Sequence, residues 1–137
     1  MKPRAKPLVH FVPATARHEP GRVLATLPLR LVNITNTREH HMARARRTKA
    51  QRAAVRAMLS KAIRDACVEL PCIVTLTRIA PRAFDCDGAV AAFKGIRDEI
   101  AALLGVDDGS PMIEWQYAQR KSEPHTYGAE IRVERRG

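Results

Sequence analysis

The chain has 137 residues, with 24 lysines and arginines against 14 acidic residues and a formal charge of +10 at pH 7. This length suits one domain around a single core and excludes two large cores. No apolar run approaches the 18 or so residues that a membrane helix needs, and the N-terminus lacks the apolar stretch of a signal peptide, so we predict a cytoplasmic protein. The three cysteines, an odd number without metal-site spacing, are typical of a reducing compartment. The positive charge favours an anionic partner, above all nucleic acid.

The first 21 residues are basic and rich in proline, and they predict an irregular, flexible arm. This arm either touches phosphates or is a solvated extension. A single domain is expected over residues 22–137. It begins with a predicted strand at 22–33, whose Pro28 has no amide hydrogen and therefore indicates an edge strand or a bulge.

A long helix is predicted next, from a capping sequence at residues 36–39 to about Cys67. Apolar side chains recur along it at three- and four-residue intervals, which is the period of one helical face. The opposite face is densely cationic, and Glu39 is the single acid between residues 38 and 64. Charges of one sign repel each other at this density, so we favour DNA phosphate contact over a plain solvated face. The predicted DNA contacts are Arg38, Arg44, Arg46, Arg47, Lys49, Arg52 and Arg56.

The second half of the chain contains a predicted strand, a helix and two further strands. A β-branched run at 72–80 predicts a central strand. Residues 88–104 have an apolar face at helical spacing and predict one unbroken helix, with Gly105 as its stop. The alternating segments 112–121 and 127–135 predict a hairpin. The order β-α-β-α-β-β indicates an α+β domain, in which two helices cover one face of a small mixed sheet.

Two acidic pairs flank the second predicted helix: Asp85 and Asp87 before it, Asp107 and Asp108 after it. Residues i and i+2 of an extended segment point to the same side, so Asp85 and Asp87 can converge on one hard cation such as Mg²⁺. Each pair also has an ordinary structural explanation, because aspartate commonly caps helices and Asp-Gly commonly forms turns. Their common place around one helix, in a chain whose other helix is polybasic, favours the metal site.

Lys94 lies in the predicted helix between the acidic pairs. It would either neutralise a phosphate near Asp87 or pair with Asp98, four residues on, across a solvated helix face. Other chemistries have little support, because the sequence has no zinc-ligand spacing and no glycine-rich phosphate loop.

These motifs resemble the RusA-like Holliday junction resolvases, a family common in phages and prophages. The resemblance covers about residues 24–135 and includes the upstream basic helix. Its most specific parts are Asp85-x-Asp87-Gly88, Lys94-x-x-x-Asp98 and Leu104-Gly105-Val106-Asp107-Asp108. It implies a homodimeric, Mg²⁺-dependent endonuclease, with Mn²⁺ as the alternative ion, that nicks branched double-stranded DNA in recombination and repair.

The resemblance also implies roles for individual residues. Asp85, Asp87 and Asp108 would be the essential metal-binding acids, with support from Asp107. Lys94 would be the basic residue of the active site. Gly88 stands where the family usually has asparagine, which favours the alternative function: a non-catalytic, basic DNA-binding protein on the same scaffold. A basic phage assembly protein is the third hypothesis.

An unbroken helix over 88–104 would be about 25 Å long, so Asp87 and Asp108 would lie at its opposite ends. In a two-fold dimer with antiparallel second helices, the start of one helix would meet the end of its mate. We therefore expect composite sites with Asp85 and Asp87 from one chain and Asp108 from the other, unless the chain folds back sharply after Gly105.

Overall fold

The structure, a computed structural model, describes residues 8–32, 41–84 and 86–136, and for residues 86 and 87 the backbone alone. The strands are β1 (His10–Phe11), β2 (Thr15–Glu19), β3 (Arg22–Leu27), β4 (Cys72–Ala80), β5 (Ile113–Lys121) and β6 (Thr126–Arg135). The helices are α1 (His41–Ala66), α2 (Cys86–Ala92) and α3 (Lys94–Leu103). The predicted α+β class with a mixed sheet is confirmed, with six strands and three helices in the described residues where four and two were predicted.

One mixed sheet contains all of these strands, in the order β2-β3-β6-β4-β5, with β1 alongside the start of β6. The predicted central strand is confirmed, since β4 pairs in parallel with β5 and antiparallel with β6. The predicted hairpin of the last two strands is wrong, because β4 lies between them. The connection from β5 to β6 passes the end of β4, where the Ser122 amide donates to the Ala80 carbonyl at 3.0 Å.

The beginning of the chain also differs from its prediction. Residues 15–19, which the sequence assigned to an irregular arm, form β2 and pair antiparallel with β3. β3 therefore has a partner on each side, and the predicted edge position is wrong. It ends at Leu27, so the missing amide hydrogen of Pro28 falls outside the strand and interrupts no pairing. Residues 1–7 of the predicted arm lie outside the described residues.

α1 is the long basic helix that the sequence predicts. It ends at Ala66, one residue before the predicted end, and Cys67 follows with a φ of 51°. Its predicted start at 36–39 lies outside the described residues. Its buried apolar side chains follow the predicted helical spacing: Val55, Leu59, Ala62, Ile63 and Ala66.

The core lies between the helices and one face of the sheet. Alternate residues of β3, β4 and β6 are buried there against α1 and α3, because successive side chains of a strand point to opposite faces. The opposite face carries mostly threonine, arginine and glutamate side chains. In the described part of the chain, no helix is both long and apolar enough to cross a lipid bilayer.

The second predicted helix is interrupted. α2 ends at Ala92 and α3 begins at Lys94, and Phe93 lies between them with φ −90° and ψ 0°. The Phe93 side chain is fully buried, with its ring centroid 6.1 Å from that of Tyr117. The prediction of an unbroken helix over 88–104 is therefore wrong. Burial of this large ring offsets the loss of regular helical hydrogen bonding, which helical spacing alone could not reveal.

Candidate active site

The structure describes the predicted acids to different extents. Asp85 lies outside the described residues, and Asp87 lies in α2 with only its backbone described. The expectation that Asp87 belongs to an extended segment before the helix is wrong, because α2 already begins at Cys86. Asp107 and Asp108 lie in the loop between α3 and β5, where Asp107 is exposed and Asp108 partly buried. Arg38 of the predicted DNA contacts also lies outside the described residues.

The chain folds back sharply after Gly105, which has a φ of 79° that only glycine adopts without strain. As a result, Asp108 lies beside the first turn of α3. Arg97 donates from Nη2 to the Asp108 carbonyl at 3.0 Å, and its Nε lies 3.4 Å from Asp108 Oδ2. Trp115 Nε1 donates to the same carbonyl at 2.9 Å. The helix-length argument for composite sites therefore no longer holds, because Asp108 does not lie at the far end of a long helix.

Gln119 holds the backbone immediately before Asp85. Its Oε1 accepts a hydrogen bond from the Phe84 amide at 2.7 Å, and its Nε2 donates to the Phe84 carbonyl at 2.8 Å. The Gln119 side-chain amide thus pairs with both the N–H and the C=O of Phe84, as the backbone of a neighbouring strand would. This fixes the position from which the segment of Asp85 starts.

Both acidic segments are anchored to the same face of β5. Trp115, Tyr117 and Gln119 are alternate residues of this strand and therefore lie on one face of it. Their partners on β4 are all buried: Val74, Leu76 and Arg78. Tyr117 lies between the other two, and its hydroxyl accepts a hydrogen bond from Arg97 Nη1 at 2.9 Å. Four residues of strand span about 13 Å, so the two anchor points lie about half as far apart as the ends of the predicted helix. Two segments that are distant in sequence thus share one rigid support.

The described side chains do not by themselves form a metal centre, since no group of three His, Cys, Asp or Glu residues lies together among them. A cation here would need the carboxylates of Asp85 and Asp87 in addition to that of Asp108. Aspartate oxygens suit a hard ion such as Mg²⁺, and the Asp108 side chain is 39% exposed, which leaves room for a ligand beside Arg97.

Lys94 begins α3, and its Nζ lies 3.8 Å from Asp98 Oδ2. This is the ion pair between residues i and i+4 of a helix that was predicted as the alternative to phosphate contact. Because the Lys94 side chain is 70% exposed, this ion pair contributes little to stability and does not prevent contact with a phosphate.

The basic face of α1 divides into two groups. Arg52 and Arg56 donate to the two carboxylate oxygens of Glu99 at 3.2 and 2.7 Å, and Glu99 is only 4% exposed on α3. These two arginines therefore tie α1 to α3. Arg46 and Lys49 are exposed and make no ion pair with another described residue, which leaves their charge for a ligand. Arg44 and Arg47 lie on the same helix.

Sequence reasoning missed Arg78. Its guanidinium carbon lies 3.3 Å from the centroid of the Phe84 ring, and the residue is 5% exposed. Its Nη1 donates to the Arg82 carbonyl and, at 3.3 Å, to Gln119 Oε1. Burial lowers the pKa of the Arg78 guanidinium below its ordinary value. The interaction with Tyr127 opposes this shift, and repulsion from Arg30 adds to it. The available signal was its position, because it is the one charged residue in the apolar run at 72–80.

No protein-family model matches this chain, and no curated protein matches it. The resemblance to the RusA-like resolvases accordingly stays a prediction.

Proposed function

We propose that this protein is a metal-dependent endonuclease that cleaves branched DNA, as the RusA-like resolvases do. The observation that supports this most strongly is the shared anchoring of the two acidic segments on β5. Gln119 holds the residue before Asp85, while Trp115 and Arg97 hold Asp108. Plain caps and turns would not require both segments to attach to one face of one strand.

In this proposal the acids hold the ion and the cations hold the DNA. Asp85, Asp87 and Asp108 provide carboxylate oxygens, and Asp107 supports them. Bound Mg²⁺ or Mn²⁺ would supply an activated water and stabilise negative charge on the phosphate. Lys94 neutralises a substrate phosphate, and exposed cations of α1 such as Arg46 contact the backbone, which contributes affinity without base recognition.

Cleavage of a synthetic four-way DNA junction tests the proposal. We expect cleavage with Mg²⁺ or Mn²⁺ and none with a chelator. Asp85→Asn and Asp108→Asn should each abolish cleavage while junction binding persists. Asp65→Asn is the matched control, because Asp65 is an acid on α1 with only a 3.9 Å contact to Arg64, and it should cleave like the wild type. Cleavage that survives Asp85→Asn would refute the proposed site.

The fold-back after Gly105 also changes the expectation for the proposed homodimer. Subunits of Asp85→Asn and Asp108→Asn homodimers can be mixed and allowed to exchange. Sites built within one chain would each retain a lesion, so no activity returns, and this is now the expected result. Composite sites would instead produce one intact site per heterodimer and restore cleavage.

A non-catalytic DNA-binding protein is the second candidate, and one contact favours it. The Asp108 carboxylate already has a cationic neighbour, because Arg97 Nε lies 3.4 Å from its Oδ2. Gly88, where the family has asparagine, points the same way. This candidate predicts junction binding that weakens steeply with salt and no cleavage with either ion.

A further inference from the structure

Arg78 is a buried cation for which the described residues provide no anion. It is 5% exposed, and it forms no ion pair with a described carboxylate. Its Nε is buried and donates to no acceptor among the described residues. An uncompensated buried charge is strongly destabilising, so the burial of Arg78 is expected to serve a purpose other than stability.

The guanidinium of Arg78 is held in one orientation. The Phe84 ring covers one of its faces, and Nη1 is held by the Arg82 carbonyl and by Gln119 Oε1. A planar guanidinium with fixed donors matches the oxygens of a phosphate, and little freedom remains to be lost when one binds.

A cavity of about 410 Å³ lies against this group, and its charged lining residues are all cations: Arg78, Arg82, Arg120 and Lys121. Arg120 is paired with Glu130 at 2.9 Å. Arg82 and Lys121 are exposed and have no ion pair with another described residue. The cavity therefore concentrates positive charge at the end of β4 and β5, beside the segment that leads into Asp85.

We infer that this cavity is a phosphate-binding site with Arg78 at its base. The identity of the ligand, a backbone phosphate of DNA, rests on the proposed function. Because Gln119 contacts both Arg78 and the backbone of Phe84, a phosphate held here lies next to the start of the acidic segment. The site would thus position the DNA strand against the carboxylates, a role distinct from that of the exposed cations on α1.

The test observes Arg78 directly. In the ¹⁵N-labelled full chain, the Nε–H signal of Arg78 is assigned by its loss in Arg78→Lys. Inorganic phosphate and, separately, a short DNA duplex are then added in the presence of chelator. We expect a saturable shift of this signal with each. Absence of a saturable shift with both ligands overturns the inference, and a shift with phosphate alone overturns the assignment to DNA.

A second variant keeps the inference testable if Arg78→Lys does not fold. Arg82→Gln should weaken phosphate binding several-fold and lower the slope of log affinity for DNA against log salt by about one unit. Arg132→Gln removes the same charge from the opposite face of the sheet, where Arg132 pairs in register with Thr75, and should change neither. Equal effects of the two variants would overturn the inference, because net charge alone would then explain the binding.

The nuclease and the phosphate site can be rejected independently of each other. A moving Arg78 signal in a protein that cleaves no junction would reject the nuclease and retain the phosphate site. Junction cleavage with an unmoved Arg78 signal would reject the phosphate site and retain the nuclease.

Discussion

Gln119 binds the backbone of Phe84 at both of its polar groups, with hydrogen bonds of 2.7 Å to the amide and 2.8 Å to the carbonyl. Gln119 lies on β5, and Phe84 lies in the loop after β4, one residue before Asp85. The loop is thereby attached to the sheet although it belongs to no strand. The acidic segment therefore starts from a fixed point, which the proposed metal site would require.

Gln119→Ala should release this loop. Loss of the two hydrogen bonds to Phe84 and of the third to Arg78 is expected to lower the free energy of unfolding by about 2–4 kcal/mol, measured by urea denaturation. Junction cleavage should fall by much more than this loss of stability explains, because the segment of Asp85 is no longer positioned. Gln116→Ala is the control on the opposite face of β5, and its effect should be below about 0.5 kcal/mol. Similar effects of the two changes would contradict the anchoring role.

The cations of α1 should separate into two classes by experiment. Arg46→Gln and Lys49→Gln are each expected to lower the slope of log affinity for DNA against log salt by about one unit, since each removes one phosphate contact. Arg56→Gln removes the shorter of the two hydrogen bonds to buried Glu99, at 2.7 Å. It should therefore lower the free energy of unfolding, by about 1–3 kcal/mol. A slope unchanged in Arg46→Gln and Lys49→Gln would remove α1 from the DNA-binding surface.

Gly95 of α3 packs closely against α1. A Cβ added there would lie 3.0 Å from Thr48 Cγ2 and 3.2 Å from Gln51 Oε1. Thr48 is stiff at χ1 and Gln51 is buried, so neither moves away easily. The crowding of Gly95→Ala, about 1–3 kcal/mol, should exceed the gain of about 1 kcal/mol in helix propensity.

We therefore expect Gly95→Ala to unfold at lower urea concentration than the wild type. Gly109→Ala provides the comparison, because a Cβ at Gly109 meets no atom within 4 Å. A stabilised Gly95→Ala protein would show that the two helices separate readily at this point.

The thiols of Cys67 and Cys72 should differ in reactivity, as tested in a Cys86→Ser background. Cys67 is exposed and Cys72 is buried, so an alkylating reagent should modify Cys67 rapidly and Cys72 only after unfolding. Burial raises the pKa of the Cys72 thiol, while Arg136 acts in the opposite direction. Early modification of Cys72 in the native protein would contradict its place in the core.

The raised pKa of Cys72 also predicts a pH dependence. Above the ordinary thiol pKa of about 8.5, the unfolded chain loses a proton that the folded chain retains, so stability falls as the pH rises. Measured by urea denaturation, the free energy of unfolding should fall less between pH 7 and pH 10 in Cys72→Ala than in Cys67→Ala. Equal losses would exclude this contribution.

Local sequence patterns determined much of the secondary structure. The spacing of Val55, Leu59 and Ile63 predicts the buried face of α1, and the β-branched run at 72–80 predicts β4 as a central strand. These predictions hold because the periods of a helix and of a strand depend on residues that are close in sequence. The same reasoning located β5 and β6, but it joined them in a hairpin, since alternation carries no information about the partner of a strand.

Contacts between residues that are distant in sequence became visible only in the folded protein. β4 lies between β5 and β6, Phe93 is buried where a helix was predicted to continue, and the chain folds back after Gly105 so that Arg97 meets Asp108. Composition and local spacing were enough to establish the charge of the protein, the position of its acids and the periodicity of its main elements. Burial and long-range hydrogen bonds decided the remainder, because their free energies depend on contacts between segments that no local pattern specifies.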